Sequence, residues 1–103
     1  SRQDPSVLNV ITTRQAWQFR IVPVCWDEGS LVLTTTNKQM ARALRFATKV
    51  IPFPVYFLLI QPEAMAEALN HSYPMPGLDA AVVLEELEML SSNLSARGIG
   101  DAD

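Results

Sequence analysis

Phe19-Arg-Ile-Val-Pro-Val-Cys-Trp-Asp-Glu-Gly-Ser-Leu-Val-Leu-Thr-Thr-Thr-Asn37 holds two apolar runs folded about a single glycine. The first, Ile21 to Trp26, is rich in β-branched residues and flanked by turn formers, which predicts a strand. Asp27-Glu-Gly29 has the length of a hairpin loop, with Gly29 supplying the positive φ that such loops need. Leu31 to Thr35 then returns antiparallel. Pro23 has no N–H to give a ladder, so the first strand belongs at a sheet edge. Strict alternation puts Ile21, Pro23 and Cys25 on one face and Val22, Val24 and Trp26 on the other.

Upstream of the hairpin, Thr12-Thr-Arg-Gln15 has the spacing of a capping box, in which the first Thr and the Gln each satisfy the other's backbone N–H. A short helix from Thr13 to Gln18 follows, with Ala16 and Trp17 toward the core. Ser1 to Asn9 is polar with one proline and is expected to be disordered or loosely packed. Downstream, Thr36-Asn-Lys-Gln39 repeats the capping-box spacing at a strand-to-helix junction. Met40, Leu44 and Ala47 recur at i, i+4 and i+7, with Ala41 and Ala43 beside them, predicting an amphipathic helix over Asn37 to Thr48.

Pro52 and Pro54 stop that helix, and Val55 to Ile60 is a continuous apolar run suited to a strand buried on both faces. Gln61-Pro62 opens another helix, with proline at the first position, where its missing N–H costs nothing. Met65, Ala68, Leu69 and Tyr73 line one side of it. A strand–helix–strand crossover makes the second and third strands parallel. The expected fold is α/β in the α+β sense: a small mixed three-stranded sheet in the order helix-strand-strand-helix-strand-helix, plus a C-terminal helix.

That last helix lies beyond a break, Tyr73-Pro-Met-Pro-Gly77. Ala80, Val83, Leu87, Leu90 and Leu94 then recur at spacings of 3, 4, 3 and 4, a seam suited to docking on a partner or on the domain's own surface. Glu85, Glu86 and Glu88 lie off the seam. The chain therefore divides into an α/β domain, residues 1–77, and an amphipathic helix with a flexible acidic tail, residues 78–103.

Composition excludes several classes. The 103 residues suffice for one domain with a single core. A net charge of −3, with the cations scattered along the sequence, lacks the basic face a nucleic-acid binder needs. Cys25 is the single cysteine, so no intrachain disulfide forms, and a reducing, cytoplasmic setting is expected. The longest apolar run, Val50 to Ile60, is too short to span a bilayer and holds two prolines. The start at Ser1 and the small size suggest a piece of a longer protein.

Catalytic and ligand chemistry is sparse. The four glycines are too dispersed for a phosphate cradle. His71, the lone histidine, sits near a helix end, where terminal carbonyls are its natural partners. One His and one distant Cys do not make a metal site. Cys25 among Val24, Trp26 and Asp27 lacks the electropositive setting of a reactive thiol. Asp27 and Glu28 read as solvated turn residues. Thr34-Thr-Thr36 offers an anion site at a helix start, against the plainer reading of Thr36 as a cap. Trp17, Phe19 and Trp26 are core residues by default, and an exposed Trp26 at the strand end becomes a contact candidate.

Ile11-Thr-Thr-Arg-Gln-Ala16, Phe19-Arg-Ile-Val-Pro-Val24, Gly29-Ser-Leu-Val-Leu33, Leu44-Arg-Phe-Ala47 and Ala68 to Tyr73 stand in a fixed order. Together they resemble the N-terminal domain of type II secretion and type IV pilus assembly ATPases, over about Val10 to Tyr73. Thr34 stands where that family usually has Ala, Thr36-Asn37 where it has Asp-Pro, and Lys49 where it has Gly. The paired Arg-Leu-Gly motifs of its cyclic di-GMP-binding branch have no counterpart here, so that nucleotide site is not carried over to any residue.

The resemblance implies a non-catalytic adaptor without a cofactor, whose partner is a cytoplasmic domain of an inner-membrane platform protein. Any ATPase machinery would lie outside this chain. The expected docking residues are Trp26, Val83, Leu87, Leu90 and Leu94. The competing expectations are a module sensing a cyclic dinucleotide or another small anion through Thr36, and a structural domain that self-associates through its terminal helix.

Overall fold

A computed structural model describes residues 3–77, and the seam from Ala80 to Leu94 lies outside the described residues. Among them, three α-helices accompany one mixed sheet, in the helix-strand-strand-helix-strand-helix order expected. The helices are α1 (Thr13–Phe19), α2 (Met40–Val50) and α3 (Pro62–Ser72), and the strands β1 (Val22–Asp27), β2 (Ser30–Thr35) and β3 (Val55–Leu59). The sheet runs β1-β2-β3, with β1 antiparallel and β3 parallel to β2.

Local chemistry explains most of these boundaries. The Thr12 side chain accepts from the Gln15 amide and the Gln15 side chain accepts from the Thr12 amide, each at 3.0 Å, so the first capping box forms. Arg20 ends α1 in the left-handed region, φ 56°, a position usually taken by glycine. Glu28 and Gly29 form a two-residue turn, both with positive φ, 52° and 88°, while Asp27 pairs with Ser30. That is the conformation whose twist matches a hairpin. Pro62 occupies the first turn of α3.

The second capping box does not form. Thr36 makes no side-chain cap bond, and a 3-10 turn, Asn37–Gln39, separates it from α2, which starts at Met40 and runs to Val50. Thr36 and Gln39 are both buried. The buried face of α2 also differs from the expected one. Its core face is Ala43, Phe46 and Ala47, while Leu44 is exposed and Met40 only half-buried.

The first residues also depart from expectation. Pro5–Asn9 is a 3-10 turn with Val7 fully buried, capped by the Asp4 side chain accepting from the Ser6 amide at 3.0 Å. A short polar stretch holds its place because one valine anchors it. Val7 joins Ile11, Trp17, Ile21, Leu31, Leu33, Phe46, Met65, Leu69 and Tyr73 in a single core cluster. On α3, Ala66 is buried and Ala68 is only partly so. Burying each large aliphatic side chain of this cluster contributes about 1.5–3 kcal/mol.

A bulge between Pro23 and Cys25 breaks the alternation of β1. Pro23 stands opposite Leu33 and Trp26 opposite Leu31, so these two share the core face. Cys25, opposite Val32, moves to the other face with Val22, opposite Thr34.

Candidate docking surface

The sheet's two edges differ in how their backbone is covered. On the β1 side, the Asp4 amide donates to the Val24 carbonyl at 2.9 Å and the Gln3 side-chain amide donates to the Pro23 carbonyl at 2.8 Å. The N-terminal segment thus covers the strand at its bulge. β3 is the opposite edge and, among the described residues, is paired with β2 alone. The Leu31 amide donates to the Pro54 carbonyl and the Ile60 amide to the Thr35 carbonyl. Parallel-ladder alternation then turns the amides and carbonyls of Val55, Phe57 and Leu59 away from β2.

β3 is therefore not buried on both faces. Val55 and Phe57 are half-buried against the core, while Tyr56 is 56% exposed, Leu59 53% and Leu58 40%. Its composition is that of a central strand, but its position is an edge, and among the described residues no strand pairs with its far side. Register places Tyr56 beside Val32, and Val32 beside Cys25, in one row across the face opposite the core. Leu58 and Thr34 form the next row. Val32 is buried yet does not belong to the core cluster.

Trp26 is 37% exposed at the end of β1. Its ring meets that of Phe53 edge-on, with centroids 5.0 Å apart and planes at 86°, a favoured aromatic geometry. Phe53 is exposed too. Trp26 and Phe53 thus form one exposed aromatic pair at the core-face end of β1, while Tyr56 and Leu58 are exposed on the opposite face and Leu59 near the end of β3, a strand whose composition predicts burial on both faces. The absence of any charge from Val50 to Pro62, where natural edge strands usually carry one, was the available signal. Val83, Leu87, Leu90 and Leu94 lie outside the described residues.

The polar residues singled out for chemistry have structural roles or none visible. Thr34 Oγ1 donates to the Val22 carbonyl and Thr35 Oγ1 to the Arg20 carbonyl, both at 2.8 Å, tying β2 to β1 and to the end of α1. With Thr36 buried, these hydroxyls do not present an open anion site. Asp27 and Glu28 are exposed at the hairpin tip, His71 is exposed in the last turn of α3, and Cys25 is half-buried. Among the described residues no group of His, Cys, Asp or Glu is arranged to hold a metal ion, and no helix is long and apolar enough to cross a membrane. A hollow of about 460 Å³ between the start of α1 and the end of α3 is lined by Leu8, Asn9, Ile11, Thr12, Ser72 and Tyr73, without a charged group among them.

Two aromatic anchors hold the helices around this frame. Trp17 Nε1 donates to the Tyr73 carbonyl at 2.6 Å, and Tyr73 Oη donates to the Leu8 carbonyl at 2.9 Å. Burial raises the Tyr73 phenol to about 12. Phe19 stacks on Phe46 at 4.3 Å, and the Arg42 guanidinium lies 4.9 Å over the Phe19 ring. Burial, and then the neighbouring Arg42 charge, lower the pKa of Arg20.

No family model matches this chain, and no curated protein or solved structure matches it either.

Proposed function

We propose that this chain is a non-catalytic adaptor domain of a bacterial type II secretion or type IV pilus-type assembly ATPase. It docks the motor on a cytoplasmic domain of an inner-membrane platform protein, and nucleotide hydrolysis belongs to machinery outside residues 1–103. Two things support the reading: the ordered resemblance from Val10 to Tyr73, and an edge strand that carries no charge. The observation that carries it is β3, with Tyr56, Leu58 and Leu59 exposed beside a backbone edge that no described strand pairs. Such an edge accepts an added strand from a partner, the main chain giving affinity and the alternate side chains specificity.

The test is titration of the full chain against cytoplasmic domains of the cognate platform proteins, with Leu58→Lys as the control. Binding that the substitution weakens at unchanged melting temperature is expected. Failure to bind any component of the machinery would sink the reading. Self-association through β3 is the second reading, favoured by the same bare edge. Sedimentation of the chain alone separates the two, since an adaptor edge awaiting its partner stays monomeric.

A further inference from the structure

The sheet face opposite the core is covered unevenly from strand to strand. Leu31 and Leu33 of β2 belong to the core cluster, and Val55 and Phe57 of β3 pack against it. The other face is formed by Val22, Cys25, Val32, Thr34, Tyr56 and Leu58, without a charged group. Of these six only Val22, at the start of β1, joins the core cluster. Yet Val32 and Thr34 are just 5% and 8% exposed, against 56% and 40% for Tyr56 and Leu58, their partners in the same rows. Cys25 is half-buried. The face is closed over β2, partly closed over β1 and open over β3.

Flanking strands do not account for this. Side chains stand roughly perpendicular to a sheet, so neighbours in a row shield their flanks and leave their tips open. A helix is about 10 Å across and strands lie about 4.8 Å apart, so one helix laid along a sheet face covers two strands and leaves a third bare. The exposure pattern across β1, β2 and β3 has that width.

The chain has a segment of matching length and pattern. Asp79 to Leu94 carries the apolar seam Ala80, Val83, Leu87, Leu90 and Leu94, with Glu85 opposite it by helical spacing. As a helix it would run about 24 Å, against about 20 Å for a six-residue strand such as β1 or β2. Hydrogen bonds mark its route. α3 packs against β1. At the end of α3 the Ser72 hydroxyl donates to Gln3 Oε1 at 3.0 Å, and Nε2 of the same side chain donates to the Pro23 carbonyl at 2.8 Å. One amide group therefore separates the end of α3 from the outer edge of β1, where the two sheet faces meet. The residues from Tyr73 to Asp79 reach about 23 Å when extended, and half of that turns the edge, since packed layers lie about 10 Å apart.

We propose that residues 79–94 dock in cis as a helix along β1 and β2, on the sheet face opposite the core, with the apolar seam over Cys25, Val32 and Thr34. The occupant is the chain's own segment, identified by its length, its amphipathic spacing and the strand edge to which α3 delivers it. The proposal goes beyond the adaptor reading, does not depend on it, and leaves the β3 edge open.

Cys25 is the chain's single cysteine and lies on the face to be covered, so its alkylation by iodoacetamide tests the proposal. In the full chain, at a concentration where sedimentation shows a monomer, Cys25 is expected to react at least tenfold more slowly than in the Leu87→Glu/Leu90→Glu variant. Hydrogen exchange at the buried Leu33 and Ala47 is the folding control. Disulfide trapping tests the same contact without disturbing the seam's polarity, and it alone decides if the glutamate variant loses core protection. Of Val83→Cys, Leu87→Cys and Leu90→Cys, at least one should close a bond to Cys25 within the monomer under oxidised glutathione, which requires Cα atoms within about 7 Å. Glu85→Cys, opposite the seam, should not. Equal alkylation rates with the core still protected, no disulfide from any seam position, trapping as ready from Glu85→Cys, or protection of Cys25 that appears only in dimers would each overturn the proposal.

Discussion

The two edges of the sheet receive opposite treatment. β1 carries Pro23 and a bulge at Val24, and its bulged carbonyls are covered by Gln3 and Asp4. These are the devices by which proteins keep a strand edge from recruiting another strand. β3 has none of them within Val55–Leu59, and three of its five side chains are exposed apolar groups. In a domain that stood alone, such an edge would be an aggregation hazard. The asymmetry therefore teaches that, among the described residues, one side of this sheet is finished internally and the other is not, which is what the proposed docking role requires.

Both edges lean on β2, and the largest effect should come from there. Leu33 is fully buried opposite Pro23 on one side and Phe57 on the other. Leu33→Ala should cost about 3 kcal/mol in denaturant unfolding, the middle of the range for buried leucines. Leu58→Ala, on the exposed row, should cost less than about 1 kcal/mol. Equal losses would break the comparison. Next in size, Leu58→Lys should weaken partner binding at least tenfold, about 1.4 kcal/mol, while leaving the unfolding midpoint almost unmoved.

On the protected side, Asp4→Ala removes the cap of the turn that lies on β1 and should lower stability by about 1 kcal/mol. Hydrogen exchange at Cys25 and Val24 should rise with it, and exchange in β3 should not. The smallest effect is a matter of pH. The Tyr73 phenol is raised to about 12 from an ordinary 10.0 by burial. Its contribution is complete below pH 10 and is lost as pH climbs from 10 toward 12, because only the unfolded chain ionises readily there. Tyr73→Phe should flatten that alkaline decline, read as the unfolding midpoint against pH.

Local signals made much of this fold legible in the sequence. The Thr12 capping box, the turn at Gly29, Pro62 at the start of α3 and the edge position of β1 each depend on a few adjacent residues. The failures share a different cause. The phase of β1 after Val24 depends on a bulge, which no residue type at that position announces. Thr36 has the spacing of a cap but is buried without a cap bond, and α2 turns Ala43, Phe46 and Ala47 inward, which leaves Leu44 outside. β3 reads as a buried strand by composition, and only the order of strands reveals that no described strand pairs with its far side. For the docking surface, Trp26 could be nominated from its place at a strand end. Phe53, Tyr56, Leu58 and Leu59 could not, since their exposure follows from topology.

Titration of the full chain with the cytoplasmic domain of its cognate inner-membrane platform protein, repeated with Leu58→Lys, tests the central claim most directly. A saturable interaction with the unmodified chain that weakens at least tenfold in the variant, at equal thermal stability, is the predicted result. Equal affinity in the two proteins, or no interaction in either, would contradict the assignment of β3 as the docking edge.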